Sequence, residues 1–112
     1  MNRMTVTAAM KELRKEDGAL FKQIFRHGSL EVEIYQPKLV DMQKPHARDE
    51  IYVVVSGSGY FVNGTVRQPF EAGEVLFVAA GVEHRFEEFT PDFATWVIFY
   101  GPEGGERSCE KG

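Results

Sequence analysis

Short segments rich in β-forming residues, separated by turn-forming dipeptides, constrain the fold of this chain more than any other feature. From Leu20 to Tyr100 apolar residues tend to recur at every second position, which is the side-chain period of a β-strand. The segments expected to be strands are 20–25, 29–36, 50–55, 60–62, 65–68, 75–78, 84–89 and 93–100. Short strands at this regular spacing, with no helix between them, predict an all-β barrel or a double-sheet jelly roll.

The strongest hairpin signal in the chain is Asn63-Gly64, which lies between two apolar segments. This dipeptide predicts a tight turn of type I′, in which both central residues have positive φ.

A short helix is expected before the first strand. Good helix formers follow Thr5, a typical N-cap residue, and the run ends at Asp17-Gly18. Its apolar stripe of Ala9, Met10 and Leu13 is thin, so we expect the helix to pack on another element. The chain is therefore expected to comprise an N-terminal helix or arm at 1–19, a barrel at 20–101 and a flexible tail at 102–112.

Composition excludes several functional classes. A length of 112 residues is enough for one domain, and 13 basic against 17 acidic residues leave a formal net charge of −4. Such a chain lacks the basic surface needed for nucleic acid or for an anionic membrane. The single cysteine, Cys109, excludes an internal disulfide framework and is expected to be an exposed thiol. Because Lys11 and Arg14 interrupt the N-terminal segment, no signal peptide is expected, and a cytoplasmic location is the default.

The segment from Lys44 to Ser56 carries the most informative pattern. If the segment is extended throughout, the side chains at even positions from 44 to 54 share one face, which carries Lys, His, Arg, Glu, Tyr and Val. The opposite face is aliphatic at Ile51, Val53 and Val55. This pattern inverts the usual alternation of a half-buried strand, so it predicts a barrel with a polar interior that holds a ligand. Asp49, on the opposite parity, is expected to be a surface charge.

Histidines at two places in the chain suggest a metal site. His46 and Glu50 lie on the same predicted face and can share a divalent cation if a third ligand comes from elsewhere. His84 follows a predicted strand and a turn at Gly81, and it is a better third ligand than His27, which lies in an early turn.

Two spacings resemble the sequence motifs of the cupin superfamily. The first is H-x3-E-x6-G at His46, Glu50 and Gly57, and the second is G-x7-G-x2-H at Gly73, Gly81 and His84. The resemblance implies a cupin-type double-stranded β-helix, which is a jelly-roll barrel, with a metal held by His46, Glu50 and His84. The family pattern has a further histidine where this chain has Lys44, and an ammonium group does not bind metal. The site is therefore either a 2-His-1-carboxylate centre with open positions or a centre with weakened or lost metal affinity.

Five further side chains are candidates for a role near this site. Lys44 and Arg48 share the parity of the predicted ligands, and they are either an anion clamp for a carboxylate or phosphate or solvated loop charges. Tyr52 is a candidate general acid or base by its resemblance to tyrosines at this spacing in cupin lyases, or else part of the barrel wall. Phe86 and Trp96 are either substrate-binding residues that line the pocket or core residues.

The function expected from these features is metal-dependent chemistry of the oxygenase, isomerase or lyase type on a small molecule, for which Lys44 and Arg48 suggest a negative charge. The alternative is a non-catalytic cupin that binds or senses a sugar or an organic acid through a degenerate metal site. The sequence does not choose between an enzyme and a binding protein, nor among iron, manganese, nickel and zinc.

A homodimer is also expected. Both faces of 93–100 and of 50–55 are largely apolar, and a single small barrel hides only one face of each strand. A twofold pair of barrels, the commonest closed arrangement, would cover the second face.

Overall fold

The computed structural model of the chain describes residues 3–41 and 43–107. Within these residues a single helix precedes eight strands. They are α1 (Val6–Arg14), β1 (Phe21–His27), β2 (Leu30–Tyr35), β3 (Asp49–Ser56), β4 (Ser58–Asn63), β5 (Val66–Glu71), β6 (Val75–Val78), β7 (His84–Glu87) and β8 (Ala94–Tyr100). A five-stranded sheet has the order β1-β2-β8-β3-β6 and a three-stranded sheet the order β5-β4-β7, with antiparallel pairing throughout. The predicted all-β double-sheet fold with a short N-terminal helix is confirmed.

The two sheets enclose a core rich in aromatic residues. From the five-stranded sheet, Tyr52 and Val54 of β3 point inward and are almost completely buried. Phe61 and Phe86 of the smaller sheet pack against them, with ring centroids 4.9 Å apart. The alternation in β3 therefore places the predicted polar face inside the fold and leaves Ile51 and Val53 half-buried on its outer face.

Helix α1 packs on the outer face of the larger sheet, in agreement with its thin apolar stripe. The Thr5 side chain accepts a hydrogen bond from the Ala8 backbone N–H and so caps the first turn. Buried residues of the stripe contact Ile34 of β2 and Ala94 of β8. The helix thus covers one end of the sheet without forming a core of its own.

The predicted hairpin is present, but its turn lies one residue later than the dipeptide suggested. Asn63 pairs with Val66 as the last residue of β4, so the two-residue loop is Gly64-Thr65. Gly64 has φ of 64°, whereas Thr65 is not among the residues with positive φ. The prediction of type I′ is wrong, because that turn needs positive φ at both central positions, and the φ signs fit type II′.

Strand β3 begins at Asp49, so residues 44–48 precede it and the condition on which the parity of Lys44 and Arg48 depended is not met. Asp49 itself is buried, which corrects its expected position at the surface. Its carboxylate accepts hydrogen bonds from the backbone N–H groups of Ala80 at 2.9 Å and Glu106 at 2.8 Å. Asp49 therefore joins the turn after β6 to the segment that follows β8.

In the described part of the chain, no helix is long and apolar enough to cross a membrane.

The predicted tail comprises residues 102–112. Its last part, 108–112, which includes Cys109, lies outside the described residues.

Candidate metal centre and adjoining cavity

Three side chains from three parts of the chain converge inside the fold. Glu50 lies on β3, His84 is the first residue of β7, and His46 belongs to the irregular segment before β3. Each offers one ligand atom, and these atoms all lie within 4.8 Å of one another. Glu50 Oε1 is 3.3 Å from His84 Nε2 and 3.8 Å from His46 Nε2.

The two motifs that carry these residues are joined through the backbone. The Gly81 N–H donates to the His46 carbonyl at 2.7 Å. This bond couples the turn before His84 to the irregular segment before β3. His46 therefore reaches the cluster although the segment that carries it is not a strand.

The burial of the cluster tests whether its residues fit a metal. The side chains of Glu50 and His84 are 1% and 0% exposed. Among the described residues, Glu50 Oε1, Glu50 Oε2 and His84 Nε2 have no hydrogen-bond partner. A buried carboxylate and imidazole without partners are costly, and a divalent cation between them would satisfy all three atoms. The donor set therefore fits a divalent metal.

The orientation of His84 is set by its other ring nitrogen. Nδ1 lies 2.9 Å from the Val82 carbonyl, to which it donates, so Nε2 is the atom that faces Glu50. Burial by itself would lower the pKa of His84, but the neighbouring Glu50 carboxylate, the hydrogen bond to the Val82 carbonyl and the charge of Asp41 outweigh it and raise the pKa. The Glu50 carboxylate therefore favours a positive charge at the cluster.

A buried carboxylate outside the cluster supports this region. Asp41 accepts hydrogen bonds from the Tyr35 hydroxyl at 2.5 Å and from the Phe86 backbone N–H at 2.8 Å. It also accepts from the backbone N–H and side-chain Nε2 of Gln43, at 3.2 and 2.8 Å. Asp41 thereby anchors the loop after β2 to β7 in the opposite sheet.

Gln43 extends from this anchor into the cluster. Its Oε1 accepts a hydrogen bond from the Tyr52 hydroxyl at 2.9 Å and lies 3.4 Å from His46 Nε2. The amide oxygen of Gln43 is therefore part of the environment of the candidate metal centre.

A cavity of about 480 Å³ opens beside the cluster. It is lined by polar residues Glu33, Tyr35, Gln43, His46 and Glu50 and by apolar residues Leu20, Phe21, Val97 and Phe99. Burial, with the nearby charges of Glu31 and Glu50, raises the pKa of Glu33 to about 7. The cavity thus presents a carboxyl group that titrates near neutral pH.

The two cations proposed as an anion clamp do not line this cavity. Lys44 is exposed. Arg48 pairs with Glu31 at 3.3 Å and donates to the Ser29 carbonyl, and it lines a smaller depression of about 240 Å³ next to His46. Both residues lie in the segment before β3, which belongs to no strand and bends at residues 47–48, so strand alternation does not direct their side chains.

The other predicted site residues have different positions. Phe86 is a core residue, only 2% exposed. Trp96 lies on the outer face, where it packs against the cluster formed with α1, so the structure does not bring it to the cavity. Tyr52 is fully buried beside the cluster, and burial together with Glu50 raises its pKa well above the usual value, so its hydroxyl stays protonated. His27 ends β1, paired with Leu30, and is exposed.

Sequence reasoning missed four residues of this region: Glu33, Tyr35, Asp41 and Gln43. A signal existed for two of them, because Glu33 and Tyr35 alternate with apolar residues in β2 as Glu50 and Tyr52 do in β3. Asp41 and Gln43 lie in an irregular loop, where side-chain direction has no period.

Comparisons with known proteins agree with this architecture. A family model for the cupin domain matches residues 31–100. The uncharacterized protein SCO3923 of Streptomyces coelicolor is 37% identical over 94 residues, which cover 82% of this chain and 89% of that protein. The crystal structure of a cupin 2 conserved barrel domain protein from Salinispora arenicola superposes with a TM-score of 0.64 at 19% identity, over 89% of this chain and 91% of that one. A protein of Thermotoga maritima described as a predicted oxalate decarboxylase superposes with a TM-score of 0.58 at 20% identity, over 71% of this chain and 77% of that one. The family match over residues 31–100, together with the shared barrel fold, shows that the chain belongs to the cupin domain family.

Proposed function

We propose that this cupin binds a divalent metal through His46, Glu50 and His84 and uses it in chemistry on a small molecule held in the adjoining cavity. The observation that carries the proposal is the pair of fully buried side chains, Glu50 and His84, whose facing donor atoms have no hydrogen-bond partner among the described residues, and Glu50 also lines that cavity. A divalent cation between the two groups would compensate their burial more fully than their mutual contact at 3.3 Å does.

A divalent cation with open coordination positions would supply Lewis acidity toward a substrate oxygen. The residues of the chain would bind the substrate and handle protons. Glu33 lines the cavity, where burial raises its pKa above the usual range, and we assign it the role of accepting or releasing a proton. Tyr52, which stays protonated, donates to Gln43 and acts as a positioning residue.

The cavity favours a substrate that differs from the anion expected from the sequence. The residues that line it include two glutamates and four apolar side chains but no lysine or arginine. A neutral, partly apolar molecule with a hydroxyl group matches this wall, because Glu33 can accept a hydrogen bond from the hydroxyl. We therefore propose a small, neutral hydroxylated compound as the substrate class.

Metal binding is tested first, with untagged protein treated with chelator and then titrated with Mn²⁺, Fe²⁺, Ni²⁺ or Zn²⁺ in a calorimeter. Wild type is expected to bind about one ion per chain, and His84→Ala to lose affinity by at least about tenfold. His27→Ala is the matched control, because His27 is an exposed histidine outside the cluster. Absence of binding by wild type, or equal binding by His84→Ala, would contradict the proposal.

Turnover is tested on the metal-loaded protein. Mass spectrometry of small molecules that co-purify with it supplies candidate substrates, and consumption of dioxygen separates an oxygenase from an isomerase or lyase. A metal-loaded protein that binds such a compound without converting it would support the alternative of a non-catalytic sensor.

A further inference from the structure

We propose that the side-chain oxygen of Gln43 is a fourth protein ligand of the metal centre and takes the place of the imidazole that Lys44 does not supply. The inference rests on the proposed binding of a metal by His46, Glu50 and His84. It concerns a residue outside both motifs, which reaches the centre only through the loop between β2 and β3.

The chemistry of Asp41 decides which end of the Gln43 amide faces the cluster. An ionised carboxylate only accepts hydrogen bonds, so the group 2.8 Å from Asp41 Oδ2 must be the NH₂ end of the amide. The Gln43 backbone N–H donates to the other oxygen of the same carboxylate at 3.2 Å. With both donors held on one side, Oε1 points to the other side, toward His46.

Oε1 retains the capacity for one more partner. An amide oxygen has two lone pairs, and the Tyr52 hydroxyl occupies one of them at 2.9 Å. Its neighbour at 3.4 Å is His46 Nε2, which is long for a hydrogen bond. In a metal site both atoms are electron-pair donors, and a cation between them would bind the two together.

The separations of the donor atoms agree with this role. His46 Nε2 lies 3.4 Å from Gln43 Oε1 and 3.8 Å from Glu50 Oε1, and Glu50 Oε1 lies 3.3 Å from His84 Nε2. Donors about 2.1 Å from one ion lie about 3.0 Å apart in six-coordinate geometry, which would leave positions open for a substrate, and about 3.4 Å apart in four-coordinate geometry. The contact of 3.4 Å that Gln43 adds therefore lies between the two contacts made by Glu50 Oε1 in length.

The net charge of the ligand set also permits a glutamine oxygen in place of the family's further histidine. A glutamine oxygen and a histidine nitrogen are both neutral donors, so the formal charge of the ligand set stays at that of the single carboxylate of Glu50. Lys44 is exposed, and its ammonium group supplies no competing ligand.

The test compares Gln43→Leu, which removes the donor at similar size, with Gln43→His, which supplies a nitrogen donor. Gln68→Leu, at an exposed position on β5, is the matched control. We expect Gln43→Leu to weaken Zn²⁺ binding at least about tenfold and to change the visible absorption of the Co²⁺-loaded protein. Gln43→His is expected to recover most of the affinity with a different Co²⁺ spectrum.

A structural role for Gln43 would lower affinity without coordination, so a direct readout on wild-type protein is included. Addition of Zn²⁺ is expected to shift the side-chain amide ¹⁵N resonance of Gln43 strongly and that of Gln68 little. This measurement stands even if Gln43→Leu fails to fold. An unmoved Gln43 amide, or unchanged Zn²⁺ affinity and Co²⁺ spectrum in Gln43→Leu, would overturn the inference and leave the three-residue metal site intact. Failure of wild type to bind Zn²⁺ or Co²⁺ would instead reject the proposed function.

Discussion

At the scale of single residues, the most informative side chain is Glu33, which lies in the cavity without a basic neighbour on its wall. Its carboxyl has a pKa of about 7 in the folded chain, against 4.5 for the ordinary group, because burial and the charges of Glu31 and Glu50 disfavour ionisation. The folded state therefore binds a proton more tightly than the unfolded state. The contribution of Glu33 to the free energy of unfolding is therefore fully present below pH 4.5 and is lost as the pH rises toward 7.

The substitution Glu33→Gln should remove the loss of stability that accompanies ionisation of Glu33. We expect the metal-free variant to exceed wild type by about 1 to 3 kcal/mol in free energy of unfolding at pH 8 and to match it near pH 4.5. Urea unfolding at the two pH values measures the difference, with Glu71→Gln, an exposed glutamate on β5, as control. A gain of the same size at both pH values would show that ionisation of Glu33 is not the cause.

At the scale of elements, the passage from one sheet to the other depends on a single residue. Gly57 alone separates β3 of the five-stranded sheet from β4 of the three-stranded sheet, and it has φ of 83°. A Cβ at this position would lie 2.5 Å from Phe93 Cα and 2.8 Å from Phe93 N, which are backbone atoms that cannot rotate away. Glycine is needed here both for its φ and for the close approach of the segment before β8.

Comparison of two alanine substitutions separates the cost of the positive φ from the cost of the close approach to Phe93. Gly73 has φ of 92° with nothing within 4 Å of an added Cβ, so Gly73→Ala should cost only backbone strain of about 1 to 2 kcal/mol. Gly57→Ala adds the clash with Phe93 and should cost at least about 3 kcal/mol or prevent folding. Denaturant unfolding of both variants measures the difference, and equal losses would contradict the close approach at Gly57.

At the scale of the whole molecule, the outer face of the larger sheet carries a row of apolar side chains that crosses all five strands. Cross-strand pairing aligns Phe25, Val32, Ile98, Ile51 and Phe77, one from each strand. Both ends of the row are open, with Phe25 38% and Phe77 49% exposed. Helix α1 covers the neighbouring end of the sheet at Ile34 and Ala94 and leaves this row uncovered. The homodimer expected from the sequence stays a prediction, and this row is where we expect the partner barrel to pack.

A charge placed on the row should separate the barrels. We expect wild type to scatter light as a dimer at micromolar concentration and Phe77→Glu to scatter as a monomer of 12.7 kDa. Val66→Glu is the matched control, because Val66 is 52% exposed on β5 in the other sheet. A monomeric wild type, or a Phe77→Glu variant that remains dimeric, would disprove an interface at this row.

Local rules determined much of this protein. The period of two in β3 placed Glu50 and Tyr52 inside the fold, because successive side chains of a strand point to opposite faces. Turn-forming dipeptides marked the strand ends, and the spacing of His46, Glu50 and His84 identified the candidate metal ligands. All these features depend on residues close together in the chain or on a motif shared with a family.

The tertiary structure alone decided what surrounds those ligands. Asp41 is paired with the backbone of Phe86, far along the chain, and this bond fixes the loop that directs Gln43 toward His46. Arg48 is held by Glu31 and Ser29 outside the cavity, although its parity suggested an inward position. Irregular segments have no side-chain period, so the direction of each side chain there is set by hydrogen bonds to distant elements, which form only when the two sheets come together.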